Sequence, residues 1–241
     1  MIDLIAVNYN SIDYAEVFVK SVTKYVKCEH KIIIVDNSDQ IPELQKLDKN
    51  ITVLQGDNNI DQGKAPSPAS AAHANSIQLG IENGTSKYIC LCDIDICFLN
   101  EWVDTWIPKL DQCTFMSHRW EPEIQSDGHT SAVKNIARPQ FMIFERSWYE
   151  KNNFKFNADY QDTGGFLTKF VFDEHLPFGI IPNSYNNPNL KNDHILKEIE
   201  NGEQAFLEDK TPFLFHHGRG TLGKGHPKRK QWYSVLTEYL L

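Results

Sequence analysis

The sequence has no long hydrophobic run. About 18 consecutive apolar residues, the least that a membrane-spanning helix needs, occur nowhere in its 241 residues. The amino terminus also lacks a basic segment followed by an apolar one, so no secretory signal peptide is predicted. The chain contains no low-complexity tract or internal repeat, which argues against disordered and solenoid classes. We therefore expect a cytoplasmic globular protein without a membrane span.

Basic residues are also scarce. The chain has 24 Lys and Arg against 32 Asp and Glu, a formal net charge of -8. Because nucleic-acid binding relies on many cationic side chains that neutralise phosphates, we expect no nucleic-acid partner. The balance differs locally, since residues 219–230 carry basic side chains and no acidic one. This stretch is a candidate contact for an anion.

The cysteines do not have the layout of a disulfide framework. They are odd in number, and Cys90, Cys92 and Cys97 crowd into one predicted strand region. Zinc sites favour Cys-x-x-Cys pairs, which the sequence lacks. The pattern predicts small buried thiols in a reducing compartment.

The first half of the chain alternates short apolar runs with segments of helical period. Runs such as IIIV are apolar on both faces, which is typical of parallel strands covered by helices on both sides. No linker separates the second half from the first, so we expect an α/β protein with one domain over residues 1–241. The predicted strands are 4–9, 31–36, 51–54, 88–91, 140–144 and 212–215, and the predicted helices are 14–26, 68–82, 102–110, 164–172 and 231–241.

Polar residues follow three of these apolar runs. Asn8 follows the first, Asp36 the second, and Asp93 and Asp95 the fourth. Ligands of open α/β sheets bind at the carboxyl ends of the strands, so these clusters are expected to meet at one edge. The loop 57–69 is rich in Asp, Asn, Gly and Pro and should face the same edge.

The Asp93-Ile94-Asp95 triplet is the strongest single motif. Two neighbouring carboxylates repel each other unless a cation lies between them, and oxygen ligands suit Mg²⁺ or Mn²⁺ bound to a diphosphate. Asp-x-Asp is also common in turns, which is the structural alternative. Its position after a buried parallel strand favours the metal site.

Taken together, VNYN, IIIVDNSD and YICLCDIDICFL resemble the family 2 glycosyltransferases of the GT-A fold. The resemblance covers roughly the first hundred residues well and the rest in fragments. It implies an open, mostly parallel sheet flanked by helices, with a Rossmann-like nucleotide-binding half at 1–100 and an acceptor and catalytic half at 101–241. It also implies the inverting transfer of a sugar from a nucleotide-sugar donor to a hydroxyl of a glycan or similar acceptor.

The resemblance further implies which side chains contact the donor. Asp36 would accept hydrogen bonds from the base or ribose, although an Asx turn is its structural alternative. For Tyr9 the alternative is a packed core aromatic, and for His73 a structural helical histidine. The implied donor-binding residues are Val7, Asn8, Tyr9, Asn10, Asp36, Lys64, His73, Asn75, Asp93 and Arg219.

Catalytic and metal-binding residues of the second half are implied in the same way. Asp162 falls where the family places its catalytic base, with Asp159 in reserve, and the alternative for Asp162 is a helix cap. In FLFHHGRGT, either His216 or His217 would complete the metal shell of Asp93 and Asp95.

Two other functions fit the same fold. A sugar-phosphate nucleotidyltransferase usually has a glycine-rich loop with Arg and Lys after its first strand, and VNYNS lacks one. A non-catalytic carbohydrate- or nucleotide-binding module could retain the cleft without turnover. For the transferase, UDP is the expected donor nucleotide, with GDP and dTDP open.

Overall fold

The structure is a computed structural model. It describes residues 1–57, 63, 65, 67–122, 135–156, 158, 163–190, 202–218 and 226–241. The strands are β1 (Ile2–Asn8), β2 (His30–Asp36), β3 (Ile51–Gln55), β4 (Tyr88–Asp93), β5 (Ile96–Phe98), β6 (Phe115–Ser117), β7 (Trp120–Pro122), β8 (Asn135–Ala137), β9 (Phe141–Glu145), β10 (Gly179–Ile180), β11 (Glu203–Phe206) and β12 (Pro212–His216). The α-helices are α1 (Ile12–Tyr25), α2 (Ile41–Leu44), α3 (Pro68–Asn83), α4 (Val103–Trp106), α5 (Arg146–Lys151), α6 (Gly165–Asp173) and α7 (Pro227–Leu240), and 3₁₀ turns cover Ile107–Asp111 and Pro188–Leu190.

A seven-stranded sheet forms the centre of the fold, in the order β10-β6-β9-β4-β1-β2-β3. Strand β1 pairs in parallel with β2 and β4, and β2 pairs in parallel with β3. Only β9 runs against its neighbours within this sheet. The mostly parallel α/β sheet predicted from the apolar runs is therefore confirmed.

The central strands are buried on both faces. Leu4 and Ala6 of β1 pack into a core with α1 and α7, whereas Ile5 packs into a second core with α3 and α6. Successive side chains of a strand point to opposite faces, so the alternation puts one helical layer on each side of the sheet. Polar residues stand at the carboxyl ends of β1, β2 and β4.

A second, smaller sheet continues from the end of β4. Its order is β11-β12-β5, and both pairings are antiparallel. Strand β5 begins directly after a turn at 94–95, so the small sheet extends the carboxyl edge of the large one. The sequence predicted β12 but neither β5 nor β11.

Several predicted elements differ in extent. The helix predicted at 102–110 is a short α4 followed by a 3₁₀ turn, because Pro108 provides no amide hydrogen for a continuing α-helix. The terminal helix begins at Pro227, earlier than predicted, so Lys228, Arg229 and Lys230 are helical. Most of the loop at 121–135 lies outside the described residues, and its two ends pair as β7 and β8.

All five cysteines are free thiols, and Cys90, Cys92 and Cys97 are buried, which confirms the prediction of buried thiols. Within the described ranges, no helix has both the length and the apolar character needed to cross a membrane.

Candidate functional site

Two carboxylates and one imidazole meet at the carboxyl edge of β4. His216 Nε2 lies 3.4 Å from Asp93 Oδ2 and 3.3 Å from Asp95 Oδ1. One ligand atom from each of the three residues lies within 4.8 Å of the others. Asp95 and His216 are buried, whereas Asp93 retains 26% of its side-chain exposure. The cluster is therefore open to a ligand from the Asp93 side.

The local fold explains this convergence. Asp93 is the last residue of β4, and Asp95 follows in the tight turn before β5. Strand β12 returns antiparallel to β5 and places His216 opposite Ile96. The turn thus aims both carboxylates at the imidazole. Residues more than a hundred positions apart form one site.

The charges around His216 favour its protonated form when no cation is bound. Burial alone would lower the pKa of His216, but Asp95, Asp93 and Glu203 more than offset it and hold the pKa well above its ordinary value. An imidazole surrounded by carboxylates marks a place where positive charge is stabilised. A divalent cation would supply such charge.

His217 faces away from this cluster. Its Nδ1 lies 3.0 Å from the hydroxyl of Tyr14, and its ring packs against Tyr14 and Trp232. The fully buried ring of His217 lies between α1 and α7, which does not favour the prediction that it could be a metal ligand. Of the two histidines, His216 is the one at the acidic pair.

The long helix α3 brings His73 but not Asn75 to the site. His73 Nε2 lies 3.9 Å from Asp93 Oδ1. Residues two positions apart in an α-helix point about 200° apart, so Asn75 lies on the opposite side of α3 and is exposed. His73 therefore lies at the acidic edge and Asn75 does not, and contact of either residue with a donor stays a prediction.

The ends of β1 and β2 form a buried hydrogen-bond network. Asp36 Oδ1 accepts from Asn8 Nδ2 at 2.7 Å and from Ser38 Oγ at 2.6 Å. Asp36 Oδ2 accepts from the backbone amide of Gln40 at 2.7 Å. Both Asn8 and Asp36 are fully buried. The Ser38 amide also donates to Asp36, which is the Asx turn considered as the alternative. This network positions the loop ends, and direct contact between Asp36 and a nucleotide stays a prediction.

A cleft opens beside this network. Tyr9 is 63% exposed, so it is not a packed core aromatic, which was the alternative to a donor-contacting residue. Val7 is partly buried, and Asn10 is exposed in a left-handed conformation, with φ of 52°. The cleft has a volume of about 540 Å³, which falls in the range of small-molecule sites. Its lining residues are Tyr9, Asn10, Ile12, Ser38, Asp39, Gln40 and Glu43.

Of the basic stretch at 219–230, the structure describes residues 226–230. Arg229 is buried, its Nε donates to Asp13 Oδ2 at 2.7 Å, and its guanidinium lies over the ring of Tyr14. Arg229 Nη2 also donates to the carbonyl of Asn10 at 3.3 Å. Arg229 therefore ties α7 to α1 and to the loop at the cleft, and is not a free anion contact.

Four predicted site residues lie outside the described residues: Asp159, Asp162, Lys64 and Arg219. The residues that flank Asp162 are described. Thr163 is buried and its hydroxyl donates to the carbonyl of Ser70 at 3.4 Å, near the start of α3. Gly164, with φ of 93°, is the N-cap residue of α6. A side chain of Cβ size at Gly164 would meet the Ala137 carbonyl at 2.7 Å, so glycine is required there.

Sequence reasoning missed two residues behind His216. Glu203 of β11 has its Oε2 3.7 Å from His216 Nδ1, and His118, just after β6, lies 3.7 Å from the same oxygen. Neither residue belongs to a motif, and only the pairing of β11 with β12 brings Glu203 to the site. No sequence signal identifies them.

No protein-family model and no curated protein matches the sequence. Solved structures do match its fold. The galactosyltransferase LgtC, in complex with donor and acceptor sugar analogs, aligns with 100% of this chain and 95% of its own at 14% identity and a TM-score of 0.55.

Two further structures match part of the chain. The mannosyltransferase PcManGT from Pyrobaculum calidifontis, in complex with GDP-Man and Mn²⁺, aligns with 75% of this chain at 12% identity and a TM-score of 0.51. S. aureus TarS 1-349 in complex with UDP aligns with 74% at 14% identity and a TM-score of 0.50. The chain spans little more than half of each, 54% of PcManGT and 56% of TarS. These matches confirm the predicted GT-A fold.

Proposed function

We propose that the protein is a cation-dependent glycosyltransferase that transfers a sugar from a nucleotide-diphosphate sugar to a hydroxyl group of a glycan or similar acceptor. The observation that carries this proposal is the convergence of Asp93, Asp95 and His216 at the carboxyl edge of a GT-A sheet. In such sheets this edge is where ligands bind.

The three side chains fit a divalent cation. Ligands about 2.1 Å from an octahedral ion lie about 3.0 Å from their neighbours. The His216–Asp93 and His216–Asp95 separations of 3.4 and 3.3 Å are close to that value and longer than typical charge-assisted hydrogen bonds. Two carboxylates and one imidazole suit Mn²⁺ and, less well, Mg²⁺. Asp93, the more exposed of the two carboxylates, faces the side from which phosphate oxygens would complete the shell.

The cleft beside Tyr9 is the proposed site of the nucleoside. Its exposed phenol ring offers a face on which a base could stack, and the buried Asn8–Asp36 network holds the cleft wall in place. Two matching structures contain UDP and GDP-Man, which supports a nucleotide ligand here. UDP is the donor nucleotide that we expect first, with GDP and dTDP as the other candidates.

The diphosphate would lie between the cleft and the acidic cluster. His73 reaches Asp93 from α3, whose amino-terminal end lies at the same edge because the β3–α3–β4 connection is a crossover between parallel strands. Backbone amides at a helix start favour anions. Lys64 and Arg219 are proposed to offset charge on the leaving diphosphate. When bound, the divalent cation supplies further positive charge to the same group.

Asp162 is the proposed catalytic base, with Asp159 as the second candidate. The carboxylate would take the proton of the acceptor hydroxyl as the acceptor oxygen bonds to the anomeric carbon. The bond from that carbon to the phosphate oxygen breaks at the same time, and its electron pair leaves with the diphosphate. The next residue along the chain, Thr163, donates to the carbonyl of Ser70 near the start of α3. Because the diphosphate is proposed to lie near that helix start, this contact supports the assignment.

The first prediction concerns nucleotide binding. UDP, GDP, dTDP and CDP should be compared for their effect on the melting temperature, each with and without Mn²⁺. We expect one of them to raise it by several degrees only when Mn²⁺ is present, because a ligand that binds only the folded state stabilises it. Mn²⁺-independent stabilisation, or none by any nucleotide, would contradict the proposed diphosphate site.

The second prediction separates the two adjacent histidines. His216→Gln should weaken Mn²⁺ binding by about tenfold or more, because it removes the imidazole at the acidic pair. His217→Gln should lower the melting temperature through lost packing but change Mn²⁺ affinity less than about threefold. Electron paramagnetic resonance of free Mn²⁺ measures both affinities. Equal losses in the two variants would remove His216 from the proposed role.

The third prediction concerns the base. Asp162→Asn should lower the transfer rate by about 100-fold or more while leaving donor affinity unchanged, since general-base catalysis contributes about 10²–10⁴-fold. Asp159→Asn is the matched comparison. Normal turnover in Asp162→Asn with loss in Asp159→Asn would assign the role to Asp159.

A further inference from the structure

A second cluster of side chains with metal-ligand atoms lies behind His216. The Nε2 of His216 faces the acidic pair, whereas its Nδ1 lies 3.7 Å from Glu203 Oε2. His118 Nε2 lies 3.7 Å from the same oxygen. One ligand atom from each of the three residues lies within 4.8 Å of the others. The two clusters therefore share one imidazole ring.

The atoms that face one another in this second cluster have no hydrogen-bond partner among the described residues. This holds for His118 Nε2, for His216 Nδ1 and for Glu203 Oε2. His118 is fully buried and His216 is 2% exposed. Buried polar atoms are nearly always hydrogen-bonded, whereas these lie within ion-pair distance of one another without a hydrogen bond, so a cation between them would satisfy all three.

We propose that His118, Glu203 and His216 form a second, buried cation site suited to Zn²⁺. Two imidazoles and one carboxylate are a common set of protein ligands for zinc. Ligands about 2.1 Å from a tetrahedral ion lie about 3.4 Å apart, so the observed 3.7 Å spacings need only a small contraction. Zinc prefers imidazole more strongly than Mg²⁺ or Mn²⁺ does.

Arg119 holds the carboxylate of this site in place. Its Nη1 lies 2.8 Å from Glu203 Oε1, so the guanidinium occupies one carboxylate oxygen and leaves Oε2 for the cation. The arrangement fixes the orientation of a ligand from outside the coordination shell, as is usual for metal-binding carboxylates.

The shared ring makes the two sites antagonistic. A neutral imidazole has one lone pair, on either Nδ1 or Nε2. Zinc at Nδ1 leaves a proton on Nε2, which then faces Asp93 and Asp95 as a donor, and a second cation can bind Nε2 only by displacing that proton. Bound zinc should therefore weaken Mn²⁺ binding at the acidic pair. This antagonism rests on the proposed function, whereas the zinc site itself does not.

Anomalous diffraction at the zinc edge locates the ion directly in crystals of the wild-type protein grown with zinc chloride. We expect a peak within about 2.3 Å of His118 Nε2, Glu203 Oε2 and His216 Nδ1. A peak confined to Asp93 and Asp95, or no peak at all, would overturn the proposal.

Zinc affinity in solution provides a second test, by competition with a chromogenic zinc chelator. Both His118→Asn and the isosteric Glu203→Gln should bind zinc about tenfold or more weakly than wild type, and circular dichroism checks that each is folded. His175→Asn, which changes an exposed histidine, should retain wild-type zinc affinity, and Asp95→Asn, which removes only an acceptor at the far nitrogen of His216, should weaken zinc binding less than either ligand variant.

The variants also keep the two proposals apart. Loss of zinc binding in Asp95→Asn, with no loss in His118→Asn and Glu203→Gln, would place zinc at the first cluster and overturn the second site. Loss in His118→Asn and Glu203→Gln alone would support the second site even if the protein proved not to bind a nucleotide.

Discussion

The parallel register of β1 with β2 and β4 determines where the polar residues at the ends of these three strands lie. Asn8 is opposite Asp36, and Val7 is opposite Asp93, so the three strands end at one level. Strands that are apolar on both faces hold this register through two helical layers, one on each side. The polar residues Asn8, Asp36 and Asp93 therefore lie together where these strands end. The fold thus places the cleft and the acidic pair side by side.

His216 is the residue on which the proposed chemistry of this edge depends. It comes from the antiparallel partner of β5 and lies among three carboxylates, those of Asp93, Asp95 and Glu203. These charges raise its pKa despite its burial, so the same field that holds a proton would hold a metal ion. The orientation of one ring thereby links the proposed donor site to the buried cluster behind it.

The sequence predicted the elements whose signal is local. Long apolar runs identified β1, β2 and β4, and the order of the acidic residues after them identified the edge. The short β5 and β11 have too few residues for a periodic signal, so the pairing that brings Glu203 to His216 was not predictable. Helical geometry would have separated His73 from Asn75, since their spacing puts them on opposite sides of α3. At a strand end, alternation alone could not decide between His216 and its neighbour, because packing against α1 and α7 determined which ring turned inward.

The most direct test of the central claim is the release of nucleoside diphosphate from UDP-sugar and GDP-sugar donors. We predict release that requires Mn²⁺ or Mg²⁺ and falls by about 100-fold or more in Asp95→Asn, because a metal ligand at the leaving group contributes several kcal/mol. Asp104→Asn, which changes an exposed carboxylate on α4, should match wild type. Cation-independent release, or equal release by wild type and Asp95→Asn, would contradict the account.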